Sequence, residues 1–343
     1  MGEILTSGGG VLDSSRSFIS GATGRWAGER LMKALTEGRE LAASELRTLD
    51  TLRKDEWVFI DEQLVSEAQI RLVGVADLKA AGLQTTVPGS MGKTVYTYEK
   101  MTDMQPATVS LDGVTRSEMD RQEYLASGLP LPIIHKDFYF NLRTLTASRA
   151  GRGEALDVTQ VRTAGRLVAE EEERMLFQGG KTFGGLPIYG YTTHPNRNTT
   201  GFGSNGNWAQ VAKTGENMLT DVLAMIAIAE ADRMFGPYWL YLPRGYSTVI
   251  GADFKANSDR SVFDRIRSIS GLTSVKVADQ MPANTLVLVQ ATSDVVKWIQ
   301  GEPLQTIQWD IEGGFHVNFK AFEIAVPLIR ADAQGRSGVV HMS

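Results

Sequence analysis

The stretch RLVAEEEERMLFQGG, residues 166–180, places four consecutive glutamates inside a pattern of helical spacing. Successive helical residues are rotated by about 100°, so four adjacent carboxylates fan around the axis and cannot converge on one metal ion. No histidine lies nearby in the sequence to complete a ligand set. The run predicts the charged flank of a long helix, with Glu170 and Arg174 as an i, i+4 pair. The alternative is a contact surface between identical subunits.

The limits of this helix follow from its flanking residues. Asp157 is a predicted N-cap with Gln160 three residues later, and Gly179 is a predicted C′ residue. These features predict a helix over residues 158–178, a rod about 31 Å long.

The sequence on either side changes from helical to extended patterning. Segments 26–49 and 54–74 carry apolar residues at helical spacing. Residues 85–125 are rich in Thr, Val and Tyr and are interrupted by Pro and Gly, which predicts an extended hairpin arm. Helices alternate with short apolar strands from about residue 216, which indicates a compact α/β lobe. In the C-terminal hairpin the apolar parity changes, which predicts a β-bulge near Lys320 and Ala321.

The composition is that of a packed globular protein with no membrane segment. The chain has 42% hydrophobic and 22% charged residues and a net charge of -5 without a long block of one sign, so tight direct binding to nucleic acid is not indicated. It has no cysteine, which excludes disulfides and thiolate metal sites. The longest apolar run, residues 222–229, is far shorter than the about 20 residues that cross a membrane.

The sequence offers no constellation typical of catalysis. The stretch GSMGKT, residues 89–94, has too few residues between its glycines for a phosphate-binding loop. Asp310 and Glu312 flank a Gly-Gly turn, where carboxylates are ordinary turn residues. The histidines lie on separate predicted elements: His135, His194, His316 and His341. We therefore predict no catalytic residue, no metal site and no cofactor, and a chain that contacts copies of itself and is not an enzyme.

Several passages, taken in order, resemble those of a known family. They are residues 55–78 (DEWVFIDEQLVSEAQIRLVGVADL), the strand and long helix of residues 132–180 followed by GGLPIYG, residues 235–251 (FGPYWLYLPRGYSTVIG), and the closing segment 294–330. The ordered series is similar to encapsulin shell proteins and related tailed-phage major capsid proteins of the Hong Kong ninety-seven fold. It covers roughly residues 54–330.

The resemblance implies an α+β fold with an N-terminal arm, an extended β-hairpin loop, a peripheral domain with a long spine helix, and an α/β axial domain. The expected order is an N-terminal arm at 1–53, a helix leading into the peripheral domain at 54–84, the extended hairpin loop at 85–125, the peripheral domain at 126–207 with the spine helix at 158–178, the axial domain at 208–300, and a return to the peripheral sheet and the C-terminus at 301–343.

The resemblance also implies a function. The chain would be a major capsid protein that self-assembles into the icosahedral head around the double-stranded DNA of a tailed phage. The first alternative is an encapsulin-type nanocompartment shell that encloses a cargo enzyme, and the second is an unrelated α/β enzyme. Implied partners are identical subunits in pentamers and hexamers, scaffolding, portal or decoration proteins, and packaged DNA contacted non-specifically on the inner face. The implied location is the virion capsid, after assembly in the bacterial host cytoplasm.

Charged residues of the hairpin loop and the spine helix are the expected assembly contacts. They are Lys93, Lys100, Arg116, Glu170, Glu172 and Arg174. Some members of the family crosslink a loop lysine to an asparagine of a neighbour, and Lys93 or Lys100 with Asn318 would be the candidates here, although no motif marks such a pair.

Overall fold

The computed structural model describes most of the chain after residue 61 and divides it into two compact units. The described residues are 62–66, 68, 72–101, 104, 107–111, 119, 121, 124–141, 143, 159–255, 259–311, 316–332 and 334–343. The smaller unit comprises Met1–Ile60, Asp137–Gln160 and Ile307–Phe319, and the larger one Asp61–Lys136, Val161–Thr306 and Lys320–Ser343. The expected N-terminal arm at 1–53, the helix at 26–49 and Asp157 lie outside the described residues.

The described chain contains both helices and strands. Residues 62–66 and 68 are helical. The named elements that follow are α1 (Gly74–Ala80), β1 (Gln84–Thr86), β2 (Val95–Met101), β3 (Tyr124–Pro130), β4 (Ile133–Asn141), α2 (Thr159–Phe177), β5 (Gly179–Phe183), β6 (Leu186–Tyr189), β7 (Asn198–Thr200), α3 (Gly215–Ala231), β8 (Tyr238–Pro243), α4 (Ser247–Ile250), α5 (Val262–Arg267), β9 (Leu272–Ala278), β10 (Leu286–Gln290), β11 (Val296–Ile311), β12 (His316–Ile329) and β13 (Val339–Met342).

The strands form two larger sheets and two hairpins. One sheet has the order β1-β11-β12-β4, and the other has the order β7-β13-β10-β8-β9. In the five-stranded sheet β10 is antiparallel to both β13 and β8, whereas β7 and β9 are parallel to their neighbours. The two hairpins are β2-β3 and β5-β6.

The five-stranded sheet has apolar cores on both of its faces. Every residue of β8 is buried, and its side chains alternate between two clusters. Leu240 packs with residues of α3 and α5 such as Val222 and Ile266. Tyr241, on the opposite face, packs with residues of α1 and the end of α2 such as Leu78 and Phe177. Two covered faces explain why β8 reads as a continuous apolar run instead of an alternating one.

The smaller unit holds an aromatic cluster. Phe138 stacks on Phe319 with ring centroids 5.3 Å apart, and Phe140 meets Phe319 edge-on at 5.4 Å. Such pairs add about 0.5–1.5 kcal/mol beyond the area that they bury. This cluster explains the apolar residues at alternate positions of β4.

The C-terminal strand differs from the domain order expected from the sequence. β13 pairs with β7 and β10 in the five-stranded sheet, and not with the strands β11 and β12 that precede it. Residues 339–342 therefore do not return to the sheet of β11. The reason is that Val340 and Met342 pack in the apolar core on one face of the five-stranded sheet and Val339 packs in the core on the other face.

The long helix ends at a glycine that the backbone requires. Gly179 has φ +58°, the left-handed conformation predicted for a C′ residue. The backbone N–H groups of Tyr191 and Thr192 donate to the carbonyls of Leu176 and Phe177, so the chain passes directly over the helix end. A Cβ on Gly179 would lie 2.2 Å from the backbone nitrogen of Gly190. No side chain fits there.

We expect Gly179→Ala to cost about 2 kcal/mol more stability than Gly184→Ala. Gly184 has φ +57°, but a Cβ added to it would meet no atom within 4 Å. Both variants therefore carry the left-handed strain of about 1 kcal/mol, and only Gly179→Ala adds a steric clash. Urea unfolding of the two full-length variants measures the difference. Equal losses would contradict the close approach at Gly179.

Candidate functional site: the long helix, the extended hairpin and a buried ion pair

The four glutamates of α2 divide into a partly exposed pair and a buried pair. Glu170 and Glu171 are partly exposed, whereas Glu172 and Glu173 are only 1% and 2% exposed. The expectation of a charged flank is therefore wrong for Glu172 and Glu173. The reason is that other elements cover that side of the helix: α1 contacts Glu173, and Glu323 of β12 contacts Glu172.

Glu173 occupies the N-terminus of α1. Its carboxyl accepts hydrogen bonds from the backbone N–H groups of Val73 and Val75, the latter at 3.3 Å. Helix N-termini leave such N–H groups unpaired, and a carboxylate there also meets the positive end of the helix dipole. Burial nevertheless raises the pKa of Glu173 to about 7, although the N–H groups lower it. Glu173 thus joins α1 to α2.

Glu172 lies beside a second buried carboxyl. Its side chain is hydrogen-bonded to that of Glu323, which is also buried. Burial, and then the charge of Glu323, raise the pKa of Glu172 well above its ordinary value, while Lys79 acts in the opposite direction. The sequence predicts Glu172 as an assembly contact. Its side chain is instead buried inside the subunit, so this prediction is wrong.

The exposed side of α2 carries ion pairs, but not the predicted one. Arg174 Nε donates to Glu171 at 3.0 Å, and Lys181 contacts the same carboxyl. Glu170 instead lies 3.6 Å from Arg166. The predicted Glu170–Arg174 pair is wrong because Glu171 is also within reach of Arg174, at i, i+3, and attracts two cations. Exposed pairs of this kind contribute about 0–1 kcal/mol each.

The lysines expected in the hairpin loop have contacts within their own subunit. Lys93 is exposed and its Nζ donates to the carbonyl of Pro88 at 3.1 Å. Lys100 is partly buried on β2. Burial, and then the charges of Lys100 and Arg197, lower the pKa of His194 to about 4. Arg116 lies outside the described residues.

The β2-β3 hairpin contacts Arg330 and carries exposed apolar side chains. Its register runs from Val95 opposite Pro130 to Met101 opposite Tyr124. Arg330 donates to the carbonyl of Glu99 at 2.7 Å, and its guanidinium lies 5.8 Å from the centroid of Tyr98. Several large apolar side chains beyond this point are exposed: Met104, Val109, Leu111, Met119, Tyr124 and Leu125.

A buried ion pair lies beneath α3. Lys213 Nζ is 2.7 Å from the carboxylate of Asp221, and the two side chains are 0% and 2% exposed. Trp208 Nε1 and the backbone N–H of Gly203 also donate to Asp221, at 2.9 and 3.1 Å. Lys213 further donates to the carbonyl of Ser204 at 3.0 Å. A buried charge is tolerated when it is paired and hydrogen-bonded in this way.

Neither a metal cluster nor a membrane-spanning helix occurs in the part of the chain that the structure describes. Within it, no group of three or more His, Asp or Glu side chains could hold a metal ion. No helix there combines the length and the apolar character needed to cross a membrane.

The sequence matches a family model described as a family of unknown function, DUF6260, over residues 45–342. The chain belongs to this family. A search of curated proteins returned no match.

This DUF6260 chain superimposes on chains of solved structures. The virus-like particle from Pyrococcus furiosus matches with a TM-score of 0.60 and 18% identity, over 83% of this chain and 98% of that chain. The capsid of Myoviridae Phage XM1 matches with a TM-score of 0.59 and 11% identity, over 77% and 90%. A structure from Microbacterium phage Oxtober96 matches with a TM-score of 0.54 and 14% identity, over 77% and 90%.

These matches identify the fold of the family member. Its mixed α+β architecture is that of the Hong Kong ninety-seven-type capsid fold, as the sequence resemblance implied. The spine helix expected at 158–178 is α2, Thr159–Phe177. The assembly roles of Lys93, Lys100, Arg116, Glu170 and Arg174 stay predictions.

Proposed function

We propose that the chain is a structural shell subunit that self-assembles into the icosahedral head of a tailed phage and encloses its double-stranded DNA. Its role is architectural, not catalytic. Identical subunits in pentamers and hexamers are its main partners, and DNA meets the inner face without sequence preference. Scaffolding, portal or decoration proteins complete the head. The subunit works in the virion after assembly in the cytoplasm of the bacterial host.

The observation that carries this proposal is the extent of the structural match. The alignment takes in 98% of the Pyrococcus furiosus particle subunit and 90% of the subunit of the Phage XM1 capsid. A match over nearly the whole of the matched chain supports a shell protein, whereas a single shared lobe would not distinguish a shell protein from another α/β protein.

A second observation is the amount of apolar surface on the hairpin arm. Val109, Leu111 and Met119 are 96%, 108% and 94% exposed. Large apolar side chains are usually buried, so their exposure on the arm leaves apolar surface available for a contact. A two-stranded hairpin alone is also marginally stable in water. Both features support an arm that lies on a neighbouring copy of the chain.

The second candidate function is an encapsulin-type shell around a cargo enzyme. It is favoured by one observation, since the match with the TM-score of 0.60 is a virus-like particle and not a phage capsid. Both candidates use one fold and differ in what the shell encloses.

Particle analysis tests the proposal. We expect the full-length protein to form closed shells many times larger than the 37.5 kDa chain, seen by light scattering and negative-stain microscopy, because repeated modest contacts around symmetry axes add up. DNA-filled heads with tails from the native host support the phage head, and closed shells with protein cargo support the alternative. A monomer of 37.5 kDa over wide ranges of protein and salt concentration would refute both.

A further inference from the structure

Four elements of the larger unit meet at a pair of buried carboxyl groups. Glu172 comes from α2 and Glu323 from β12, and their side chains are hydrogen-bonded to each other. Lys79 of α1 places its Nζ 3.8 Å from the Glu323 carboxyl. Gln300 of β11 donates to the same carboxyl at 3.2 Å. The spine helix is thus joined to the four-stranded sheet through two acidic side chains.

This contact requires a proton. Ionised carboxylates only accept hydrogen bonds, so two of them can bond to each other only if one is protonated. Within the described chain, Oε2 of Glu172 is buried without a hydrogen-bond partner. An unpaired buried oxygen costs much less on a neutral acid than on a carboxylate. The geometry therefore favours a proton on Glu172.

The surrounding charges lead to the same conclusion. Among the residues that the structure describes, the charged groups acting on Glu172 are Glu323, Lys79 and Glu173. Lys79 is one cation against three carboxyls, and Glu173 is held by the backbone N–H groups of α1. Asp77, the acidic residue of α1 itself, pairs with Lys276. No second cation among these groups balances a charge on Glu172.

We propose that Glu172 and Glu323 share one proton and form a pH-sensitive latch that holds the spine helix on the sheet, so that loss of the proton releases the helix. The latch is a property of the single subunit. It does not depend on whether the chain forms a phage head, another shell or neither.

The direction of the pH effect follows from the raised pKa values. An acid whose pKa is higher in the folded state stabilises that state at low pH, and this stability is lost as the pH rises from the ordinary value of 4.5 through the folded pKa. The stability contributed by Glu173 is lost by the time the pH passes about 7. The pKa of Glu172 is also raised well above 4.5, so its contribution is lost over a range that ends only when the pH reaches its folded pKa.

Hydrogen–deuterium exchange of the full-length protein tests the latch. Opening of the latch releases one proton from Glu172. The opening constant of peptides from residues 159–177, corrected for intrinsic exchange, should therefore rise about tenfold per pH unit between about pH 7.5 and 9, up to the folded pKa. In Glu172→Gln the amide donates permanently to Glu323. We expect this variant to show no rise over the same range.

A control variant at an exposed neighbouring residue and a second variant of the latch complete the test. Glu171→Gln removes an exposed carboxyl one position away and should keep the wild-type slope, with assembly state matched by light scattering. Glu323→Gln removes the like charge but leaves Glu172 buried, so the rise should end at a lower pH than in wild type, even if Glu172→Gln does not fold. The same pH profile in wild type and in the folded variant of Glu172 or Glu323, or a flat wild-type profile, would overturn the latch.

Discussion

A chain whose hairpin arm is cut at its base should fold as a subunit but fail to form closed particles. The design joins Glu99 to Ala126, which face each other in the β2-β3 register, through an Asn-Gly turn in place of residues 100–125. The contacts of Arg330 with Glu99 and Tyr98 lie on the retained side. The removed side chains that are described include Leu111 and Met119, which are fully exposed and add nothing to the subunit's own core.

Two measurements separate folding from assembly in this variant. The circular dichroism spectrum and the urea midpoint should stay close to those of wild type, while closed particles disappear from micrographs. A milder control replaces Leu111 and Met119 with Ser and keeps the arm length, and it should lower the particle yield without changing the spectrum. Particles of normal size from the shortened chain would refute the arm's role and much of the shell proposal with it.

The spine helix could be located from the sequence because its limits are set locally. The predicted range 158–178 and the observed Thr159–Phe177 differ by one residue at each end. Apolar spacing, a run of good helix formers and a glycine at the C′ position all act within a few residues. The order of the longer helices and strands could be predicted for the same reason, since each of them carries its own periodicity.

The burial of Glu172 and Glu173 could not be read from the same stretch. Glu173 is covered by Val73 and Val75, which are about 100 positions earlier, and Glu172 by Glu323, which is about 150 positions later. Nothing in the run itself distinguishes a carboxyl that faces water from one that faces another element. Charge alone favours the exposed assignment, and here tertiary packing overrides it.

The C-terminal hairpin shows a related difficulty. The change of apolar parity suggested a bulge near Lys320, which stays a prediction. In β12 Ile324 and Val326 pack in one core and Ala325 and Ile329 in another, so both faces of the strand are buried. Burial on two faces places apolar residues at both parities without requiring an inserted residue. The sequence contains the pattern but not the number of covered faces.

The ion pair beneath α3 was missed although one feature pointed to it. Asp221 lies three residues after Met218 and four before Met225, and both are buried. A carboxyl at these positions is on the apolar face of an amphipathic helix and must find partners there. Lys213 supplies the charge.

Lys213→Met should be the most destabilising of the point substitutions proposed for this chain. The methionine fills much of the same space, but Asp221 keeps its charge in a buried site with only the N–H groups of Trp208 and Gly203 as donors. Breaking one side of a buried ion pair costs about 3–5 kcal/mol because the other charge is left uncompensated. Urea unfolding at neutral pH measures the loss.

An exposed pair in the same lobe and a double substitution identify the cause of the loss. Lys255 pairs with Glu216 on the surface, with side chains 60% and 59% exposed, so Lys255→Met should cost at most about 1 kcal/mol. Adding Asp221→Asn to Lys213→Met removes the stranded charge while the amide oxygen still accepts from Trp208, and should restore part of the stability. The opposite outcome is that Asp221→Asn lowers the stability of Lys213→Met by as much as it lowers that of wild type. In that case the loss in Lys213→Met comes from packing, and the buried charge is not its cause.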